Sequence, residues 1–76
     1  MELQEFINYF AEQFDDLDVS TLTRETKFRD LDEWNSLVAL SVIAMIDEEY
    51  DVTVKGNDIM GAKTIEDLFK VVLSKK

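Results

Sequence analysis

The chain contains no cysteine and no histidine. The first absence excludes a disulfide framework and thiolate metal sites. The second removes the commonest metal ligand and the usual general base at neutral pH. Basic residues are scarce: 8 Lys plus Arg stand against 17 Asp plus Glu, a net charge of −9. That balance argues against binding a phosphate backbone, which needs a basic footprint. It points to protein partners with basic docking surfaces, or else serves solubility alone. Long apolar runs are lacking too. The longest, "LVALSVIAMI", is about half of the roughly 20 residues a membrane span needs. The N-terminal "MELQEFINYF" has no positive region ahead of an apolar core, so it does not read as a secretory signal. A cytoplasmic monomer with no membrane insertion, expected from the Met1 start and short ends to stand alone, is the simplest expectation.

A chain of 76 residues is one domain, 1–76. It buries little surface, so stability must come from helices packed on a compact core. The hydrophobic share of 46% is enough for one. Leu3, Phe6, Ile7, Phe10 and Phe14 recur at steps of three and four, which predicts an amphipathic helix over 2–15. Residues 16–34 lose that period and are rich in Asp, Ser and Thr, which compete for backbone hydrogen bonds. They read as a long loop pinned by Leu17, Leu22, Phe28 and Leu31. A second helix follows over 36–50, with Asn35 as its N-cap. Asp51 and "VTV" break it, and "YDVTV" is a strand pattern without a partner. Residues 57–61 suit one short helical turn ended by Gly61. Thr64 caps a last helix, with Glu66 and Asp67 in its first turn and Lys70, Lys75 and Lys76 toward its end, as the helix dipole favours. The apolar stripe of that helix is Ile65, Leu68, Phe69, Val72 and Leu73. The fold class is all-α: a small four-helix bundle of three main helices and one short helix, with a long loop between the first and second.

On a helical wheel, Ala39, Val42, Ile43, Ile46 and Tyr50 form the core face of the second helix. Leu37, Leu40 and Ala44 fall elsewhere, beside Ser36, Ser41, Asp47 and Glu48, while Val38 and Met45 point in a third direction. Two readings stay open. Leu37 and Leu40 are exposed as part of an acid-rimmed docking surface, or the long loop folds over them. Ser36 stands at the start of this helix, where unpaired N–H groups and the dipole favour a phosphate. Without a histidine to activate it, the hydroxyl is poor equipment for nucleophilic catalysis. Position alone makes it most often a capping residue.

Neither catalysis nor metal binding is expected. "DLDEWN" begins like a calcium loop, but Trp34 takes a ligand position and Asn35 the one that needs glycine. Asp30 and Asp32 read as a solvated loop rather than a catalytic pair.

The stretch "FRDLDEWNSLVALSVIAMIDEEYDV" resembles the attachment region of acyl carrier proteins. Ser36 and Leu37 match the last two positions of the family's Asp-Ser-Leu signature, and Asp47, Glu48, Glu49 and Tyr50 match the acidic-aromatic end of its second helix. Phe28 and Leu31 match apolar positions of the preceding loop, and "IMGAKTIEDLFKVV" is similar to the passage into the last helix. The resemblance covers essentially the whole chain. It implies that Ser36 carries a 4'-phosphopantetheine arm through a phosphodiester, installed from coenzyme A by a phosphopantetheinyl transferase, with Asn35 capping the helix beside it. The arm's thiol would hold acyl or aminoacyl groups as thioesters, loaded by a ligase or transferase and presented to acyl-using enzymes. Leu37, Leu40, Ala44, Asp47 and Glu48 would form the strip that meets basic partner surfaces. Ile43, Ile46, Ile59, Leu68 and Phe69 would part to shelter an acyl chain. The alternative is a non-enzymatic interaction module that never receives an arm. Three departures mark the chain. Asn35 stands where the family has Asp, Val38 and Ser41 stand where acids are common, and Trp34 is bulky where small residues are usual. They imply a specialised carrier serving a dedicated pathway rather than bulk fatty-acid synthesis.

Overall fold

In the computed structural model, which describes residues 2–15 and 17–76, four α-helices form in the expected order. They are α1 (Leu3–Ala11), α2 (Ser36–Tyr50), α3 (Gly56–Gly61) and α4 (Ile65–Lys75). Met1 and Asp16, the first residues of the expected domain and the expected loop, lie outside the described residues. No strand forms among the described residues; Val52 and Val54 of the alternating segment are buried in the core. The first helix is shorter than the period predicts. It stops at Ala11, but Phe14 still reaches the core through the turn that follows.

Phe6, Phe10, Phe28, Val42, Ile46, Ile65, Leu68 and Val72 are fully enclosed, so α1, α2, α4 and the long loop share one core. Each large apolar side chain buried this way contributes roughly 1.5–3 kcal/mol. The loop is structured rather than slack. Two 3-10 turns, Val19–Thr21 and Phe28–Asp30, interrupt it. Leu22 and Phe28 are its buried anchors, while Leu17 and Leu31 are half-buried. Its backbone also caps α4: the Ile65 N–H donates to the Thr26 carbonyl at 3.1 Å and the Glu66 N–H to the Arg24 carbonyl at 3.0 Å. These are first-turn donors that a helix cannot satisfy internally. An Arg24–Glu66 ion pair ties the same junction. At the head of α4, Thr64 Oγ1 accepts from the Asp67 N–H at 3.1 Å and Asp67 accepts from the N–H groups of Thr64 and Lys63. Those N–H groups hold the Asp67 carboxyl below its usual range.

Two details differ from the sequence pattern. Gly61 closes α3 as an ordinary helical residue, not as a left-handed cap; the one left-handed residue among those described is Asp51, φ 56°, which ends α2. Leu73 of the α4 stripe is exposed although its neighbour Val72 is fully enclosed, since it lies at the edge of the buried face.

Tyr50 closes the bottom of the core against Phe6 and Tyr9, with its hydroxyl enclosed and unpartnered among the described residues. Burial, then the negative charge of Glu5, pushes its phenol up to about 12. A phenol whose folded pKa lies above the unfolded value of roughly 10 stabilises the fold below that value, and the contribution is lost as pH rises toward 12. Denaturant titrations at pH 9 and pH 12 should show an alkaline loss of about 2 kcal/mol attributable to Tyr50. Tyr50→Phe should lack that component.

Candidate functional site

The start of α2 is built by the segment before it. Trp34 is half-buried, stacks on Phe10 at 6.3 Å and meets Phe28 edge-on at 5.0 Å. The bulk at this position is thus a structural plug that fixes the chain entering α2. Asn35 follows in extended conformation, and its Oδ1 accepts the Val38 N–H at 2.9 Å. That leaves the first-turn N–H groups of Ser36 and Leu37 at the open end of a 15-residue helix. Asn35→Ala removes the cap and should cost about 1 kcal/mol, a fall of roughly 4–8 °C in melting temperature for a domain of this size. Asn35→Asp should preserve the cap.

Ser36 is exposed, so its hydroxyl is open to an incoming enzyme. On one flank lies a cleft of about 320 Å³ between α2 and α3, walled by Trp34, Ala39, Ile43, Ile59 and Met60, with Ser36 at its edge. On the other flank is a groove of about 370 Å³ shared with the turn that follows α1, lined by Leu37 and Ser41 together with Asp15 and Glu33. Leu37 is 74% exposed and Leu40 63% exposed. The loop therefore packs elsewhere and does not cover them. Ala44, Asp47 and Glu48 are exposed as well, and helical spacing brings all five expected contact residues onto one solvent-facing strip running from Ser36.

The core face of α2 differs from the wheel reading in one direction. Met45 is buried and Val38 half-buried against the core, whereas Ala39 and Ile43 are only half-buried. Helix α1 covers the Val38–Met45 side, while the short α3 leaves the Ala39–Ile43 side partly open as the cleft. A short helix cannot screen the full length of a long one. Of the residues expected to part around an acyl chain, Ile43 and Ile59 line this cleft, while Ile46 and Leu68 are sealed in the core and Phe69 packs on Phe6.

Sequence reasoning missed three contributors. Met60, 66% exposed, lines the cleft beside Ser36. Asp15 and Glu33 supply beside Leu37 the acids that α2 lacks at Val38 and Ser41. Charge along the chain does carry a signal. No Lys or Arg occurs in residues 1–23 or 30–54, which hold α1 and α2, so the exposed strip lies on the wholly acidic part of the molecule.

The profile of the phosphopantetheine attachment site family matches residues 4–72. The chain belongs to this family. It is similar to the holo acyl carrier protein from Geobacter metallireducens, known from a solution NMR structure, at 31% identity and a TM-score of 0.75 over 96% of this chain and 83% of that one. No curated protein matches the chain. Together these make it a carrier protein whose prosthetic group is a covalently attached 4'-phosphopantetheine. Carrier proteins of this kind work with a phosphopantetheinyl transferase and with acyl-using enzymes. The start of α2 suits such a group: the first turn holds no acidic side chain, its cap is neutral, and its free N–H groups favour a phosphodiester anion. No helix among the described residues is long and apolar enough to cross a membrane, and no cluster of metal-ligating side chains occurs among them.

Proposed function

We propose that residues 1–76 form one carrier domain in which Ser36 bears the arm, and that the domain is not itself an enzyme. The observation that carries this reading is the exposed Ser36 at the head of a 15-residue helix, capped by its neighbour rather than by itself. The arm supplies a terminal thiol on which acyl or aminoacyl groups ride as thioesters. The chain's own residues do the rest. Asn35 holds the helix end open toward the phosphodiester, and Leu37, Leu40 and Ala44 offer apolar contact to a partner. Asp47 and Glu48 add charge that speeds encounter with basic surfaces, so their effect should fade with salt while that of the leucines does not.

The chain serves a dedicated pathway rather than bulk fatty-acid synthesis. Neutral Asn35, the absence of acids at Val38 and Ser41, and a cleft at the lower end of the roughly 300–1,000 Å³ range for small-ligand sites support a short cargo and specialised partners. The test of the attachment site is incubation with coenzyme A and a promiscuous phosphopantetheinyl transferase, followed by intact and peptide mass measurement. A gain of one arm on the peptide holding Ser36 is expected. No gain with several transferases would favour an interaction module without an arm.

A further inference from the structure

The chain has two arginines, Arg24 and Arg29, and they are used differently. Arg24 is ion-paired with Glu66. Arg29 takes part in neither ion pair found among the described residues. Its backbone is fixed by the 3-10 turn Phe28–Asp30, which is anchored by the fully enclosed Phe28 ring. Its Nη2 donates to the Ala62 carbonyl at 3.0 Å, so the side chain crosses from the loop to the end of α3 and is held there. The Nε–H is enclosed and has no hydrogen-bond partner among the described residues. Arg29 forms part of the wall of the cleft that Ser36 borders, the rest of which is mainly apolar, and its other side lines a groove shared with Lys27, Asp30 and Lys63. A half-buried cation on the rim of an apolar cleft is less screened than one in water, and its enclosed Nε–H carries an unmade hydrogen bond, which is costly for a buried donor.

We propose that Arg29 is an anion-binding residue for the arm on Ser36, taking either the phosphodiester or a carboxylate at the tip of a short cargo folded back into the cleft. The inference rests on Ser36 being the attachment site. Both anions match the planar guanidinium fork, which a lysine would not reproduce. A cargo folded back into the cleft runs along the wall that Arg29 shares, so a carboxylate at its tip can meet the arginine. Ala62 fixes one nitrogen only, leaving the other donors of the fork for the incoming group.

The test uses the full chain labelled with nitrogen-15. It is first loaded by a promiscuous transferase from coenzyme A, glutaryl-coenzyme A or valeryl-coenzyme A, and the arm is mapped to its peptide. The Arg29 Nε–Hε resonance is then compared among the unloaded, free-thiol, glutaryl and valeryl forms. A shift and slowed proton exchange in all three loaded forms assigns the phosphodiester as the anion. The same change in the glutaryl form alone assigns the cargo carboxylate. In that second case Arg29→Gln should shorten the glutaryl thioester's lifetime by about tenfold or more, the scale of one charge-assisted hydrogen bond, and leave the valeryl lifetime alone. Arg29→Lys should rescue it only in part. An Arg29 resonance unmoved in every loaded form, with the arm mapped to Ser36, overturns the proposal while leaving the attachment site intact. An arm mapped to another hydroxyl overturns both.

Discussion

Ser36→Ala protein is expected to fold as the parent does and to accept no arm at all. The two halves of that expectation have separate physical grounds. Folding should be unaffected because Ser36 is exposed and the cap of α2 is the Asn35 side chain, which remains. Alanine is also the better helix former, so the change in stability should stay within about 0.5 kcal/mol. Loading should vanish because no other hydroxyl shares the geometry. Thr21 and Ser74 donate to the carbonyls of Asp18 and Val71, and Thr64 is engaged as the α4 cap. Ser41 is half-buried one turn further along α2, within the helix rather than at its open end. Intact mass after incubation with coenzyme A and a transferase reads the loading, and a thermal melt reads the fold. Residual single-arm gain in a well-folded Ser36→Ala protein would move the attachment site elsewhere. Ser41→Ala beside it would then show whether the second hydroxyl is the acceptor.

Much of this site is legible in the sequence because its determinants are local. Helix α2 begins and ends where Asn35 and Asp51 place it, since a side-chain cap and a left-handed terminator act on their own neighbours. Thr64 and Asp67 do the same for α4. Whether Leu37 and Leu40 face water is not local, because it depends on where the loop goes. The loop goes to α4, tied by the carbonyls of Thr26 and Arg24, and no periodicity in residues 16–34 announces hydrogen bonds to residues forty positions away. For the same reason Met45 reads as peripheral on a wheel and is buried in fact: the angular width of a core face is set by which neighbours press on the helix. Arg29 is illegible for a third reason. Its role depends on Ala62 and on the cleft left open by a six-residue α3, which emerge only from packing.

The loop's part in the fold yields the other large effect. Phe28→Ala should leave the domain at or near the edge of unfolding. Phe28 is fully enclosed and meets Phe10 at 5.6 Å and Trp34 at 5.0 Å. Truncating such a ring typically costs about 3–5 kcal/mol, because the cavity does not collapse completely. Chains of this length have a total stability on the order of 4–11 kcal/mol, so the loss takes from about a quarter to all of it. The melting temperature should fall by roughly 12 °C or more. The near-ultraviolet circular dichroism of Trp34 should weaken before the helical signal does, since its edge partner is the missing ring. The consequence reaches function through the chain. Phe28 holds the turn that carries Arg29 and, with Phe10, the plug that sets the entry into α2. Phe28→Leu, which keeps most of the volume, should cost about 1.5 kcal/mol or less and retain loading at Ser36. A Phe28→Ala protein that melts within a few degrees of its parent would mean that the loop is not a packed part of the core. The positioning of both Ser36 and Arg29 would then need another source.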